Sequence, residues 1–176
     1  GGHRVVSADI NGDAVPELVL ASSDFSGRTT LNFYRGVGDG SFNAPTTFAS
    51  DLAFTASLVI NEFDGDGHLD VAASVGLNLH IYSGNGDGTF GAALQIPAAS
   101  GAVAAGDFNR DGRVDLAMAD RGSGANLGRV TVFLNGGPGS YAGGVSYEGV
   151  SSPASLLAAD FDRDGYLDLA TSGFAA

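Results

Sequence analysis

Four nine-residue acidic segments recur along the chain: DINGDAVPE from Asp9, EFDGDGHLD from Glu62, DFNRDGRVD from Asp107 and DFDRDGYLD from Asp160. Their starts lie 53, 45 and 53 residues apart. A period of this size restricts the fold to a stack of similar supersecondary units. A second element keeps phase with the first. It reads YRGVGDGSF from Tyr34, YSGNGDGTF from Tyr82 and FLNGGPGSY from Phe133, and its two terminal aromatics are eight residues apart each time.

The segments between these elements have strand character. Leu31–Tyr34, Leu79–Tyr82 and Val130–Phe133 alternate or run apolar with β-prone residues, as do Leu18–Leu20, Leu69–Ala72, Val114–Met118 and Leu167–Ala170. No stretch combines a sustained helical period with caps. Each unit therefore reads as strand 1, acidic loop, strand 2, variable loop, strand 3, glycine-rich turn, strand 4. Four antiparallel strands in 45 to 53 residues is the size of one propeller blade. The expected fold is all-β, with about three and a half β-propeller repeats at roughly 1–50, 51–98, 99–150 and 151–176 in a single propeller region. A β-sandwich is the competitor, but it does not require near-identical units. Phe42, Phe90 and Tyr141 are expected to pack between blades. Asp39 and Asp87 are expected to shape their turns rather than bind metal.

The charge is concentrated. Charged residues make up only 16% of the chain, yet the net charge is −12, and fourteen of the 20 carboxylates fall in the four acidic windows. A solvated acidic face would scatter them. Clustered carboxylates repel one another and attract a hard cation. Calcium takes six to eight oxygens in flexible geometry, which a short loop supplies from alternate positions, a turning glycine at position 6, a carbonyl at position 7 and a closing carboxylate.

On this plan Asp107, Asn109, Asp111, the Arg113 carbonyl and Asp115 form one site. Asp160, Asp162, Asp164, the Tyr166 carbonyl and Asp168 form another. Glu62, Asp64, Asp66, the His68 carbonyl and Asp70 form a third, with Glu in place of Asp at position 1 and the His68 side chain left to solvent. Asp9, Asn11, Asp13 and Glu17 form a degenerate fourth, because Ala14 replaces the turning glycine, Pro16 stiffens the next step and Glu17 replaces the closing Asp. Weaker binding or a distorted site is expected there. An EF-hand would need a carboxylate at position 12, where this chain has Leu20, Ala73, Met118 and Thr171, followed by a helix. Four calcium ions would bring −12 to about −4.

Other classes fall away. The absence of cysteine removes disulfides, thiolate metal sites and a cysteine nucleophile. An acidic chain is a poor partner for nucleic acid. No apolar run approaches the roughly 20 residues that span a bilayer, so no membrane insertion is expected. No leader is visible, so a targeting segment is expected to lie upstream or to have been removed. His3, His68 and His80 show no pairing with Ser and Asp, the nucleophile-elbow pattern is absent, and calcium would hold the paired carboxylates ionised. No catalytic residue is assigned.

GDFNRDGRVDLAMA, AADFDRDGYLDLATS and YSGNGDGTF resemble FG-GAP/VCBS repeats, the units of integrin-α-type β-propellers and of many bacterial secreted and surface proteins. The resemblance covers essentially the whole chain. It implies four-stranded blades, calcium in the strand 1–2 loops, and closed rings that are commonly of seven blades. The remaining blades would come from a longer parent chain or from self-association. The expected function is an extracellular, secreted or cell-surface module for adhesion or recognition. The partner would be a protein or a glycan. The alternatives are a lectin, a noncatalytic accessory region of a polysaccharide-active enzyme, or a self-assembling surface structural protein. The longer strand 2–3 loops, at 23–28 and 120–128, are expected to lie opposite the metal face and either to carry recognition or to be tolerated insertions at loop tips.

Overall fold

The alternating apolar segments form strands, and each acidic loop turns the chain back on itself. The computed structural model describes residues 3–122, 128–141, 143–150 and 152–173. Blade 1 consists of β1 (Arg4–Ala8), β2 (Glu17–Ser23), β3 (Thr29–Tyr34) and β4 (Thr46–Leu52). Blade 2 consists of β5 (Thr55–Asn61), β6 (Asp70–Val75), β7 (Asn78–Tyr82) and β8 (Leu94–Pro97). Blade 3 consists of β9 (Gly101–Gly106), β10 (Asp115–Asp120), β11 (Gly128–Phe133) and β14 (Val145–Val150). Its glycine-rich turn adds a small hairpin of β12 (Asn135–Gly137) and β13 (Ser140–Tyr141). In the other two turns the same position holds a single bridge, Gly36 to Phe42 or Gly84 to Phe90. A half blade, β15 (Pro153–Ala159) paired with β16 (Asp168–Gly173), completes the described chain.

Each full blade is a four-stranded antiparallel meander in sequence order. The first strands β1, β5, β9 and β15 lie side by side and form the inner wall. No helix is present among the described residues. The architecture is all-β, built of partial propeller blades.

The side-chain period of two assigns each residue of strand 2 to one neighbouring blade. In β6, Val71, Ala73 and Val75 face blade 1, where they meet Val19, Ala21, Leu31 and Phe33. Ala72 faces the other way, into a second cluster with Val103, Leu116, Met118 and Phe133 of blade 3. Every residue of β6 is buried. The residue after the first acid plugs into the following blade in the first two loops: Ile10 joins the cluster between blades 1 and 2, and Phe63 the cluster between blades 2 and 3. The corresponding Phe161 of the half blade is 55% exposed.

The turn aromatics follow the same logic in the opposite direction. Phe90 packs back on blade 1, with its ring 4.4 Å from Phe48 and 6.0 Å from Phe33 between centroids. Tyr141 packs against the cluster between blades 2 and 3. Phe42 departs from the expectation. It is 42% exposed and lines a groove with Val5, Leu18, Leu20 and Tyr34, because among the described residues no blade precedes blade 1.

Candidate metal centre

In every acidic loop the side chains at positions 1, 3 and 5 accept hydrogen bonds from main-chain N–H groups further along the loop. Asp9 accepts from Gly12 and Ala14, Asp107 from Asp111 and Gly112, and Asp160 from Asp164 and Gly165. Position 3 accepts from the N–H of position 5: Asn11 from Asp13, Asp64 from Asp66, Asn109 from Asp111, and Asp162 from Asp164. Position 5 accepts from position 7: Asp13 from Val15, Asp66 from His68, Asp111 from Arg113, and Asp164 from Tyr166. These are successive Asx-type turns, and they wind the backbone around the acidic side chains. Glu62, one methylene longer, accepts earlier in its loop, from Asp64 and Gly65 at positions 3 and 4.

Two positions per loop take left-handed backbone. At position 4 these are Gly12, Gly65, Arg110 and Arg163, and at position 6 they are Ala14, Gly67, Gly112 and Gly165. The substitution at Ala14 therefore leaves the turn intact. Ala14 adopts φ +66° where the other loops have glycine at +83° to +88°. Holding an L-residue there costs about 1–2 kcal/mol, partly offset because glycine is freer when unfolded. Ala14→Gly is thus expected to stabilise the metal-free protein by roughly 0.5–1 kcal/mol. Calorimetry would read this as a higher Tm, and an unchanged or lower Tm would contradict it.

The closing acids turn back toward the loop and are deeply buried. Glu17, Asp70 and Asp115 have 0% exposure. One Asp70 oxygen accepts from Phe63 N–H at 2.7 Å and the other from Gly84 N–H at 2.8 Å. Asp115 does the same with Phe108 at 2.9 Å and Asn135 at 2.8 Å. Each carboxylate thereby ties the acidic loop to the glycine-rich turn of its blade. Glycine is needed at position 84 because an added Cβ would stand 2.1 Å from the Leu69 carbonyl oxygen. Glu17 differs: it accepts from Ile10 and Asn11 N–H and from the Asn11 amide, all within its own loop. Asp168 accepts from Phe161 N–H at 3.0 Å and is only partly buried.

Two groups of carboxylates converge. Oxygens of Glu62, Asp64 and Asp66 lie within 4.8 Å of one another, as do those of Asp160, Asp162 and Asp168. In the other two loops cations and amides take up the same oxygens. Arg35 bonds Asp13 at 3.0 Å, while Arg113 and the Asn109 amide bond Asp111 at 2.7 and 2.9 Å. Both carboxyls lie below the ordinary aspartate range, and these contacts contribute to it. For Asp13 the Arg35 bond is the largest cause, and for Asp111 it is the Arg113 main-chain N–H.

The side chains at position 7 are engaged elsewhere. The His68 ring lies against Gly86, Arg113 Nε donates to the Asn135 carbonyl at 2.7 Å, and the Tyr166 ring lies 4.7 Å below the Arg110 guanidinium. Asp39 and Asp87 accept from the N–H and hydroxyl of Ser41 and Thr89 within their own turns.

The field at the junction of blades 2 and 3 is strongly negative. Burial pushes the Tyr141 hydroxyl far above its usual range, and the carboxylates of Asp115, Asp70, Glu62 and Asp64 add to the effect. Burial also raises Asp70 to about 6, against the hydrogen bonds from Gly84 and Phe63, and Asp64 and Asp66 raise it further. A raised carboxyl favours the folded state when protonated, so its contribution is lost as pH rises from about 4 through about 6. In chelator, the stability advantage of wild type over Asp70→Asn should shrink by up to about 3 kcal/mol between pH 4 and pH 7. Urea unfolding at both pH values measures this, and a constant difference would exclude it.

The donor set fits a hard cation. Every group that could converge on an ion is an oxygen, and carboxylates outnumber amides. Two residues that pattern-reading missed support the loops from outside. Asn135 donates across the blade boundary to the Phe63 carbonyl at 2.9 Å and within its own blade to Val114 at 3.1 Å. It occupies the place of Gly36 and Gly84 in the repeat, and that substitution was the available signal. Arg110 links the third acidic loop to the fourth through Tyr166. Of the two longer loops, 23–28 forms a tight turn around Asp24, whereas 123–127 of the other lie outside the described residues.

Comparison with known proteins bears on the repeat and the fold. No curated protein matches the chain. Among solved structures, a chain from a mutant Tc holotoxin pore of Photorhabdus luminescens aligns with a TM-score of 0.54 and 19% identity. The alignment covers 94% of the present chain and 8% of that one, so the likeness concerns the fold. The FG-GAP-like repeat matches three times, at residues 9–73, 62–118 and 107–171. Each match runs from the first acid of one loop into strand 2 of the next unit, and the chain belongs to the FG-GAP-like repeat family.

Proposed function

We propose that this chain is a calcium-ordered, noncatalytic recognition scaffold that works outside the cell. The carrying observation is the convergence of Glu62, Asp64 and Asp66, and of Asp160, Asp162 and Asp168, on loops that recur in phase with the blades. Calcium near millimolar, as found outside cells, suits short loops of this kind. The ion would be held by Glu62, Asp64, Asp66 and Asp70, by Asp160, Asp162, Asp164 and Asp168, and by Asp107, Asn109, Asp111 and Asp115. The set Asp9, Asn11, Asp13 and Glu17 would bind more weakly. Bound calcium supplies positive charge that cancels carboxylate repulsion and fixes the loops.

The histidines support a noncatalytic reading. His80 is buried beside Tyr82, and His68 packs on a glycine-rich turn. No helix among the described residues is long and apolar enough to cross a membrane. Recognition would fall to the face opposite the acidic loops, with a protein or glycan as partner. Further blades would come from a longer parent chain or from association of copies.

Isothermal titration of the chelator-treated protein with calcium tests the reading. Saturable binding at about three sites, with a weaker fourth, is expected on the ligand count of each loop. Absence of saturable heat up to about 10 mM calcium, well above the usual range of extracellular modules, would overturn it.

A further inference from the structure

All eight basic residues of this chain are arginines. Four of them pair with aspartates: Arg28 with Asp51, Arg35 with Asp13, Arg113 with Asp111, and Arg129 with Asp120. Arg110 stacks on Tyr166, and Arg163 sits at position 4 of the fourth acidic loop, on the opposite face from the cavity described next. Arg4 and Arg121 are different. Among the described residues neither forms an ion pair, and both line one cavity of about 150 Å³. The cavity lies where the first strands of the blades begin, on the face opposite the acidic loops. Arg4 comes from blade 1, Phe54 and Ala56 from the entry to blade 2, Ser100 to Ala102 and Arg121 from blade 3, and Pro153 and Ala154 from the half blade.

No carboxylate lines this cavity, in a chain that carries 20 of them. The acids elsewhere on the same face are engaged. Asp24 accepts three bonds within its own turn, Asp51 meets Arg28, and Asp120 meets Arg129 and the Gly122 N–H. The Arg4 side chain is fixed in place, with Nε donating to the Ala56 carbonyl at 2.7 Å and Nη1 to the His3 carbonyl at 3.1 Å. That leaves its second terminal nitrogen uncommitted. Two arginines with no ion-pair partner among the described residues, lining one small cavity, supply the donors that a planar anion needs.

We propose that this cavity binds the carboxylate of an acidic side chain presented by a partner protein. The proposal rests on the reading of this face as the recognition face, and it names the chemistry that is recognised. The size suits one side chain. Phe54, Ala56, Pro153 and Ala154 give apolar walls for its methylenes. Ser100 is the one polar side chain in the lining besides the arginines, so a sugar acid would leave its ring hydroxyls without partners. Phe25 and Leu77, exposed at the tips of the strand 2–3 connections on this face, would give the partner apolar contacts around the charged centre.

The test uses the full chain in calcium and follows the arginine Nε–Hε signals by NMR. The probes are N-acetylglutamate N-methylamide, its glutamine counterpart and glucuronate. The expected result is a saturable shift of the Arg4 and Arg121 signals with the glutamate probe, little response to the glutamine one, and weaker binding of glucuronate. Arg121→Gln, at an exposed loop position, should weaken glutamate binding at least about fivefold, as should Arg4→Gln, by loss of a charge-assisted bond. Equal binding of the glutamine probe, tighter binding of glucuronate, no saturable shift, or undiminished affinity in both variants would overturn the proposal. Calcium titration of the same samples reads the acidic loops separately, so failure at the arginines is distinguishable from failure of the calcium reading.

Discussion

Calcium added to the chelator-treated protein should raise its Tm by on the order of 10–30 °C. Extracellular calcium modules bind with Kd of roughly 10⁻⁴–10⁻³ M. At about 10 mM ion, each such site adds about 1.4–2.7 kcal/mol to the folded state, and three sites add roughly 4–8 kcal/mol. For a chain of this size each kcal/mol moves Tm by about 2–4 °C. Relief of repulsion acts in the same direction, because Glu62, Asp64 and Asp66 crowd within 4.8 Å and Asp70 is buried beside them. Thermal unfolding followed by circular dichroism, with sodium chloride matched in ionic strength, measures the effect. A shift below about 3 °C, or one equalled by sodium, would contradict it, since surface screening alone is worth little.

Asp115→Ala should destabilise the protein by roughly 3–5 kcal/mol even in chelator, where no metal contribution remains. Its two oxygens accept N–H groups from Phe108 and Asn135, and the side chain is fully buried. Truncation strands both donors at about 1–3 kcal/mol each and leaves a small void. Asp162→Ala is the control. Asp162 is exposed and its bond to Asp164 N–H is replaceable by water, so in chelator its loss should cost less than about 1 kcal/mol. Urea midpoints separate the two. If Asp115→Ala cost no more than Asp162→Ala, the closing acid would not be a structural tie.

The sequence carried the blade count, the strand order and the family, because those depend on local signals repeated in phase. The β-prone apolar runs at Leu69–Ala72 and Val114–Met118 mark strand 2, and the aromatic pairs of the glycine-rich turns mark the bend between strands 3 and 4. Residues whose role depends on a neighbouring blade were harder to read. Phe42 has the same turn context as Phe90, yet Phe90 is covered by Phe48 and Phe33 while Phe42 is open. The difference lies in the adjacent blade, not in the motif.

The pattern also made the first loop degenerate at Ala14, yet the backbone holds Ala14 at positive φ and the turn is kept. The junction role of Asn135 and the shared cavity of Arg4 and Arg121 join residues more than 70 positions apart in sequence, and no spacing rule reaches that far.

The register of strand 2 has a bearing on how such chains change length over generations. Residues such as Val71 and Ala73 face the preceding blade, Leu116 and Met118 do the same one unit later, and Ile10 and Phe63 plug the following one. The junctions of blade 1 with 2 and of blade 2 with 3 are therefore made by the same handshake between equivalent positions. Recombination between two repeats in phase would remove or add a whole blade and leave each new junction with compatible faces. A crossover displaced by one residue would exchange the two faces of a strand and place Ala72-type side chains where a valine is needed. Duplication by whole periods is the route this geometry leaves open.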